Sequence, residues 1–190
     1  MSFGAQKRAF LGGRFCGDQW AVWEEDDRAL ACLIDGLGHG EDAEVAAKAA
    51  LAYVGDNLAE SLSDIIVGCD AEIRGTRGVA IGLARVDRTS QDFRYAAVGN
   101  TRAAIIGMDE QYLVGISGIV GAGIRKPFEE TFRFDRHQTL AMWSDGLAET
   151  INFSPYRSML RGDLQQLAEE ILAENAVEDD DASLVLYRKI

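Results

Sequence analysis

The sequence predicts an antiparallel α+β sandwich, with β-sheets inside and helices outside. Strand-like apolar runs are numerous, and helical patterns are few but long. Strand follows strand through the middle of the chain, which is not the order of a βαβ series. A chain of 190 residues can form one domain with its own hydrophobic core, and we expect a single domain over residues 1–190.

Eight apolar runs predict the strands. Those at 29–34 and 139–144 are almost continuously apolar, as in strands covered on both faces. Those at 93–98 and 130–134 alternate between apolar and polar residues, as half-buried strands do. The remaining four runs are 20–23, 79–86, 102–107 and 183–187.

Three helices are predicted between these strands. The first covers 41–58 and begins with acidic residues, which interact favourably with the positive end of the helix dipole. A serine caps the second helix, which ends at residue 73, and Asp163 caps the third over 164–174. The predicted apolar face of the first helix consists of Val45, Ala46, Ala49, Ala52 and Tyr53.

Composition excludes several classes of protein. Asp and Glu outnumber Lys and Arg by 31 to 19, and the net charge of −12 argues against nucleic-acid binding. We expect no membrane span and no secretory signal, because no apolar run has the required length or pattern. Cys16, Cys32 and Cys69 lack C-x-x-C spacing, which argues against a disulfide framework or a zinc site and favours a reducing cytoplasm.

Acidic residues stand at the ends of several predicted strands. Asp18 precedes one apolar run, Asp35 and Asp145 end two others, and the acidic run 179–181 precedes the last. Strand ends can bring distant carboxylates to one edge of a sheet, where they are tolerated if they are hydrated or hold cations. Oxygen ligands without Cys or His suit hard ions such as Mg²⁺ and Mn²⁺.

Glycines follow two of these aspartates directly. Gly36 allows the backbone to approach a metal ion, so that its carbonyl can serve as a ligand, and Gly146 repeats the arrangement. Gly38 and Gly40 are predicted to form the sharp turn into the first helix. A single Asp-Gly step is usually a turn, and an acidic run is usually a solvated loop. Two Asp-Gly steps after fully apolar strands favour a metal site.

Six short motifs, in this order along the chain, resemble those of the metal-dependent serine/threonine protein phosphatases, the protein phosphatase 2C-type or PPM family. Each motif is weakly specific by itself, but the ordered set spans nearly the whole chain. The similarity is greatest to the bacterial sporulation and stress-response branch. The motifs are GDQ at Gly17, DGLGHG at Asp35, VGNTR at Val98, SGIVG at Ser117, SDGL at Ser144 and DDAS at Asp180.

This resemblance implies one PPM-type phosphatase domain over 1–190, folded as a four-layer αββα sandwich of two antiparallel sheets flanked by helices. It also implies two Mn²⁺ or Mg²⁺ ions as cofactors. Asp35 would bridge the ions, the Gly36 carbonyl would bind one of them, Asp145 and Asp180 would complete the other ion's protein ligands, and Asp18 would bind or orient the second ion. Asp35, Asp145 and Asp180 are the predicted catalytic residues.

The resemblance also implies a reaction. Metal ions would polarise the phosphoryl oxygens and lower the pKa of a bridging water that attacks phosphorus. Asp180 is preferred to its acidic neighbours because the family pattern reads Asp, Asp or Asn, any residue, then Ser or Thr. VGNTR is predicted to be structural, with Gly99 and Asn100 forming a turn between two neighbouring strands.

The chain departs from the family pattern at two positions. Leu37 occupies the place of a histidine that many relatives use as general acid, and His39 either replaces it or fills the turn before the helix. Arg14 is the nearest counterpart of an expected phosphate-binding arginine, although a surface role is also open. The loop 117–128 is the one candidate mobile segment near the site, so we expect selectivity to come from docking a folded partner.

Three functions remain open from the sequence. The first is a phosphoserine/phosphothreonine protein phosphatase acting on phosphorylated STAS-domain scaffold and antagonist proteins of a stressosome, the partners that the resemblance implies. The second is a catalytically inactive phosphatase-fold binding module. The third is a small-molecule phosphohydrolase with the same metal site. The presence of all the expected acidic positions disfavours the second.

Overall fold

The computed structural model describes residues 2–189, and ten strands in this range form two antiparallel sheets of five strands each. The helices are α1 (Glu41–Asp56), α2 (Leu62–Glu72) and α3 (Leu164–Asn175). The strands are β1 (Phe3–Arg8), β2 (Asp18–Glu24), β3 (Arg28–Gly36), β4 (Val79–Asp87), β5 (Asp92–Val98), β6 (Arg102–Ile106), β7 (Glu110–Leu113), β8 (Glu130–Arg133), β9 (Thr139–Trp143) and β10 (Ala182–Arg188).

The two sheets pack face to face between two layers of helices. Sheet I has the strand order β1-β10-β9-β6-β7, and sheet II has the order β2-β3-β4-β5-β8. Helices α1 and α2 pack on the outer face of sheet II, while α3 packs on the outer face of sheet I. The predicted four-layer αββα sandwich is confirmed.

Three apolar clusters join these layers. The central cluster lies between the sheets and includes Leu33 and Phe93 from sheet II and Met142 and Val185 from sheet I. The outer clusters join sheet II to α1 and α2, and sheet I to α3. Strands β3 and β9 are therefore covered on both faces, which explains their nearly continuous apolar sequences.

The helix boundaries follow from their caps. The Ser61 hydroxyl accepts a hydrogen bond from the Asp64 amide at the start of α2, and the Asp163 carboxylate accepts one from the Gln165 amide at the start of α3. Gly40 is the N-cap residue that directly precedes α1, and its positive φ of 89° is what the predicted turn requires. Within the described residues, none of the helices is both long and apolar enough to cross a bilayer.

The predicted apolar face of α1 is correct at Ala46 and partly correct at Ala49 and Tyr53, which are half-buried against the core, but it is wrong at Val45 and Ala52. Val45 is 55% exposed, and the side chains that face sheet II lie on a neighbouring stripe. In an alanine-rich helix the small side chains are spread around the axis, so hydrophobic periodicity distinguishes the faces poorly. The buried residues of α1 are Ala43, Ala46, Ala47, Ala50 and Val54.

Two strands, β1 and β7, were not predicted. Both are edge strands of sheet I, and both are rich in polar residues or glycine rather than in β-branched residues. β1 is held by pairing with β10 and by close contact with α3, where Gly4 lies against the backbone of Leu164. Contacts with distant residues in the sequence determine β1, whereas β7 is determined by its hairpin pairing with β6.

We expect Gly4→Ala to lower the free energy of unfolding by about 1–3 kcal/mol, because the added methyl group would overlap the backbone of Leu164 and displace α3. Urea denaturation monitored by circular dichroism would measure the change. Gly107→Ala is the matched control, since the nearest atom to its methyl group would belong to the flexible side chain of Gln138, at 3.2 Å, and the nearest backbone oxygen, that of Asp109, would lie at an ordinary contact distance of 3.7 Å. Equal stabilities of the two variants would contradict the proposed close packing.

Candidate metal centre and active site

Strand pairing brings the predicted acidic residues to one rim of the sandwich. β2 and β3 pair antiparallel with Asp18 opposite Asp35, so the start of one strand meets the end of the other. Asp145 follows β9 and Asp180 precedes β10, and these two strands are antiparallel neighbours in sheet I. The four aspartates, which we call the acidic rim, therefore come in pairs from the two sheets.

Asp18 is the most deeply buried member of the acidic rim, with 1% of its surface exposed. One carboxylate oxygen accepts a hydrogen bond from the Ser144 hydroxyl at 2.5 Å, and the Ser144 oxygen accepts one from the Ser183 amide at 2.9 Å. The other carboxylate oxygen, Oδ1, is buried without a hydrogen-bond partner. Burial raises the pKa of Asp18 to about 7 despite the hydrogen bond from Ser144.

Asp35 lies close to the other members of the acidic rim. Burial, followed by the negative charges of Asp18 and Asp145, raises its pKa to about 9. Burial also raises the pKa of Asp180. These carboxyl groups resist ionisation unless positive charge is supplied, which is the electrostatic situation that a divalent cation relieves.

The donor set fits Mg²⁺ or Mn²⁺. It consists of carboxylate oxygens, one of them the unpartnered and buried Oδ1 of Asp18, and it contains neither Cys nor His. Among residues 2–189, no three Asp, Glu, His or Cys side chains already converge as a closed set of ligands. Mg²⁺ ordinarily retains several waters and needs only a few protein oxygens, so an open arrangement is compatible with it.

The glycines that follow Asp35 and Asp145 are required by close backbone packing. A Cβ atom at Gly36 would collide with the backbone of Ala43 in α1, and one at Gly146 would collide with the backbone of Asp181. Each Asp-Gly step therefore lets another element approach directly behind a rim aspartate. This is a second reason for Gly36 beyond the predicted role of its carbonyl as a metal ligand, which stays a prediction.

Asp181, which the family pattern did not select as a metal ligand, instead binds backbone amides near the acidic rim. Its two carboxylate oxygens accept hydrogen bonds from the amides of Phe10 and Gly17, each at 2.8 Å, and the residue is 2% exposed. It therefore fixes the segment leading into Asp18. Asp180 is half-buried and accepts only the Asp181 amide at 2.8 Å, which leaves it freer to bind an ion.

The VGNTR segment has a different role from the predicted hairpin turn. It leads from β5 in sheet II to β6 in sheet I, and these strands do not pair with each other. Gly99 has a positive φ of 96° and lies against Ala80, as the predicted turn residue should. The Asn100 amide donates a hydrogen bond to Asp145 at 2.5 Å, so this motif contributes directly to the acidic rim. The sequence did not predict this contact, because asparagine is common in turns for reasons unrelated to metal sites.

His39 and Arg14 both lie on exposed surface near the rim. The His39 ring stacks on Phe10 with a centroid distance of 4.5 Å, and its carbonyl accepts a hydrogen bond from Arg77. The Arg14 guanidinium lies 5.3 Å from the ring centroid of Phe15. Their predicted roles as general acid and phosphate ligand stay predictions.

The loop 117–128 is anchored at several points. The buried carboxylate of Asp70 in α2 accepts hydrogen bonds from the amides of Gly121 and Gly123 at 2.8 and 3.0 Å. Lys126 forms an ion pair with Asp64 at 2.5 Å, and Val120 pairs with Val79 through two backbone hydrogen bonds. These contacts connect the loop to α2 and to β4.

Comparison with known proteins shows which proteins this chain resembles in sequence and fold. No family model matches the chain. The phosphoserine phosphatase RsbX of Bacillus subtilis (strain 168) is 23% identical over 179 residues, which cover 92% of this chain and 88% of RsbX. The PP2C phosphatase domain of SpoIIE from Bacillus subtilis superimposes with a TM-score of 0.76 at 19% identity, covering 98% of this chain and 62% of the solved one. The chain has the PP2C phosphatase fold.

Two other solved structures share this PP2C fold more closely. One, described for the bacterial stressosome as a modular system adapted to control secondary messenger signaling, has a TM-score of 0.91 and 27% identity, covering 98% of both chains. RsbX in complex with magnesium has a TM-score of 0.82 and 22% identity, covering 97% of this chain and 92% of RsbX. The resemblance to this family that the motifs indicated is confirmed, and the chain is similar to phosphoserine phosphatases in both sequence and fold.

We expect the metal-free protein to lose stability as pH rises, relative to Asp35→Asn. Folding raises the pKa of Asp35 from an ordinary 3.8 to about 9, so between these values the folded state binds more protons than the unfolded state. The stabilising contribution of this proton is fully present below pH 4 and is lost as pH approaches 9. Denaturant unfolding in EDTA across this range would measure the difference.

Asp179→Asn is the matched control for this pH series, because it makes the same substitution at an exposed position beside the acidic rim. Its pH profile should parallel that of the wild type. A parallel profile for Asp35→Asn as well would contradict a raised pKa at Asp35. Added Mg²⁺ should stabilise the wild type most at high pH, where the rim carboxylates are ionised.

Proposed function

We propose that the chain is a metal-dependent phosphoserine/phosphothreonine protein phosphatase. The observation that carries the proposal is the acidic rim, in which Asp18, Asp35, Asp145 and Asp180 meet at one edge of a PP2C-type fold. Burial raises the pKa values of three of them, Asp18, Asp35 and Asp180, and one oxygen of Asp18 is buried without a partner. Similarity to the phosphoserine phosphatase RsbX supports the same reaction class.

Two divalent ions, Mn²⁺ or Mg²⁺, would be held by the residues that the family pattern selects. These are Asp18, Asp35 and its neighbour Gly36 through the carbonyl, Asp145 and Asp180. Binding of magnesium by RsbX supports the choice of a hard ion. When bound, the ions supply charge neutralisation for the phosphoryl group and activation of the attacking water. A substrate phosphate could then approach a chain whose net charge is −12.

The other residues of the site hold the carboxylates in place. Ser144 donates to Asp18, and Asn100 donates to Asp145, so one oxygen of each aspartate is oriented by a hydrogen bond. Such partners of metal ligands restrict their rotation and raise metal affinity. His39 and Arg14 remain proposed contributors, as general acid and as phosphate ligand, although the stacking of His39 on Phe10 equally suits its filling the turn.

Phosphorylated STAS-domain proteins of a stressosome, as scaffold or antagonist, are the proposed substrates. The support is the similarity to RsbX and to the solved chain described for the bacterial stressosome. A cytoplasmic location is proposed with them, since all three cysteines are free and buried. A role in signal transduction during stress response follows from these substrates.

Hydrolysis of p-nitrophenyl phosphate tests the proposed reaction. Wild type with Mn²⁺ or Mg²⁺ should release nitrophenolate, EDTA should abolish the activity, and Asp35→Asn should lower kcat by at least about a hundredfold through loss of the bridging carboxylate. Asp179→Asn, the exposed neighbour with the same change of charge, should keep wild-type activity. Metal-independent activity, or full activity of Asp35→Asn, would refute the proposal.

A phosphorylated STAS protein and a nucleotide should then be compared as substrates. Faster turnover of the phosphoprotein supports a protein phosphatase, and faster turnover of the nucleotide supports the small-molecule phosphohydrolase. Binding of the phosphoprotein without any hydrolysis would support the inactive binding module. The comparison separates the three functions that the sequence leaves open.

Ser144→Ala should weaken metal binding by roughly tenfold to a hundredfold, because Asp18 would lose the hydrogen bond that orients its carboxylate. Isothermal titration with Mn²⁺ would measure the affinity directly, without reference to activity. Ser158→Ala, at an exposed position away from the rim, serves as the control. Unchanged Mn²⁺ affinity in Ser144→Ala would mean that Ser144 has no positioning role.

A further inference from the structure

A cavity lined by both polar and apolar residues lies at the end of sheet I opposite the acidic rim. It has a volume of about 690 Å³ and opens between the β6–β7 turn, the segment before β9, the region 157–161 and the end of β10. β9 runs from this cavity to the rim, from Thr139 to Asp145, a separation of about 20 Å in an extended strand. We call this space the distal cavity.

The distal cavity is positively charged in a strongly acidic protein. Four arginines and two aspartates line it, which gives a formal charge of +2 when His137 is neutral, whereas the whole chain carries −12. The arginines come from three separate parts of the chain and are Arg136, Arg157, Arg161 and Arg188. A local positive field of this kind concentrates anions.

Two of these guanidinium groups converge on one histidine. Arg136 Nε lies 3.3 Å from His137 Nε2, and Arg161 Nη2 lies 3.4 Å from His137 Nδ1. Guanidinium groups only donate hydrogen bonds, and a neutral imidazole accepts at only one of its nitrogens. At most one of these contacts can be a hydrogen bond, so at least one guanidinium directs a donor at a group that cannot accept it.

The arginines of the distal cavity are also short of acidic partners. Arg157 forms an ion pair with Glu110 at 3.5 Å and donates to the Met108 carbonyl at 2.7 Å. Within residues 2–189, no carboxylate forms an ion pair with Arg136, Arg161 or Arg188. Arg188 donates to the Leu160 carbonyl at 3.0 Å, and its remaining donors are available.

The geometry points to a binding site for a small molecule that carries a diphosphate group. Several guanidinium donors around one concave space match the oxygens of phosphate groups, which arginine binds in a bidentate manner. The volume lies in the range of small-molecule sites, and Ile105, Ile106 and Leu160 provide an apolar wall beside the charged groups. The concave, half-open shape favours a small anion over a flat protein surface.

This site is independent of the proposed metal centre. None of its lining residues belongs to the acidic rim, and its arginines need no metal ion to attract phosphate. In EDTA the rim carries only negative charge or protonated carboxyl groups, so it should not bind an anion. Binding of a diphosphate to metal-free protein therefore reports on the distal cavity alone, and it is measured without any hydrolysis.

The experiment is a titration of ¹⁵N-labelled metal-free protein with inorganic pyrophosphate, and separately with ADP, at 0.15 M salt. We expect saturable NMR shifts of the amides at 105–109, 135–139 and 157–161, with little change at the rim. Tighter binding of ADP would identify a nucleotide-like ligand that uses the apolar wall. Equal binding would identify the free diphosphate as sufficient.

Arg161→Gln and Arg136→Gln should each weaken pyrophosphate binding by about tenfold or more, through loss of a charge-assisted contact. Both residues are exposed, so the variants should fold. Arg125→Gln is the matched control, because it removes one positive charge at an exposed position outside the cavity. The proposal would be overturned if neither pyrophosphate nor ADP showed saturable binding, or if Arg125→Gln weakened binding as much as the two cavity variants.

Discussion

The burial of Asp18 opposite Asp35 is the constraint on which the rest of the acidic rim depends. Desolvating two neighbouring carboxylates costs several kcal/mol per charge unless hydrogen bonds or cations compensate. Ser144 satisfies one oxygen of Asp18, while the adjacent oxygen has no partner and the pKa of Asp35 rises to about 9. The fold thus holds the carboxyl groups in a state that is unfavourable without metal, and cation binding converts this cost into affinity.

The scaffold meets this constraint by fixing the backbone directly behind the aspartates. The backbone of α1 packs directly against Gly36, and the backbone of the segment before β10 packs directly against Gly146. Asp181 adds two hydrogen bonds to the segment that precedes Asp18. Carboxylates held in this way lose little further conformational entropy when they bind a metal ion. Less of the favourable interaction energy is therefore offset by ordering, and the affinity is higher.

The sequence predicted the features that depend on local pattern. Apolar runs predicted the internal strands, and cap residues such as Asp163 predicted the helix starts. The polar edge strands β1 and β7 were missed because pairing and contact with α3 determine β1 and pairing with β6 determines β7. The contact of Asn100 with Asp145 was missed because it depends on the pairing of β6 with β9, which are distant in sequence, and no spacing rule for turns reports such a contact.

The position of β10 between β1 and β9 has a consequence for protein synthesis. β1 is made before β10, yet within residues 2–189 its one strand partner is β10, which follows Asp180. On the ribosome, sheet I therefore lacks an inner strand, and the rim lacks one aspartate, until residues 180–188 have emerged. Pairing between such distant segments forms late and slowly. A chain interrupted before this point would therefore lack both an inner strand of sheet I and one of the four aspartates of the acidic rim.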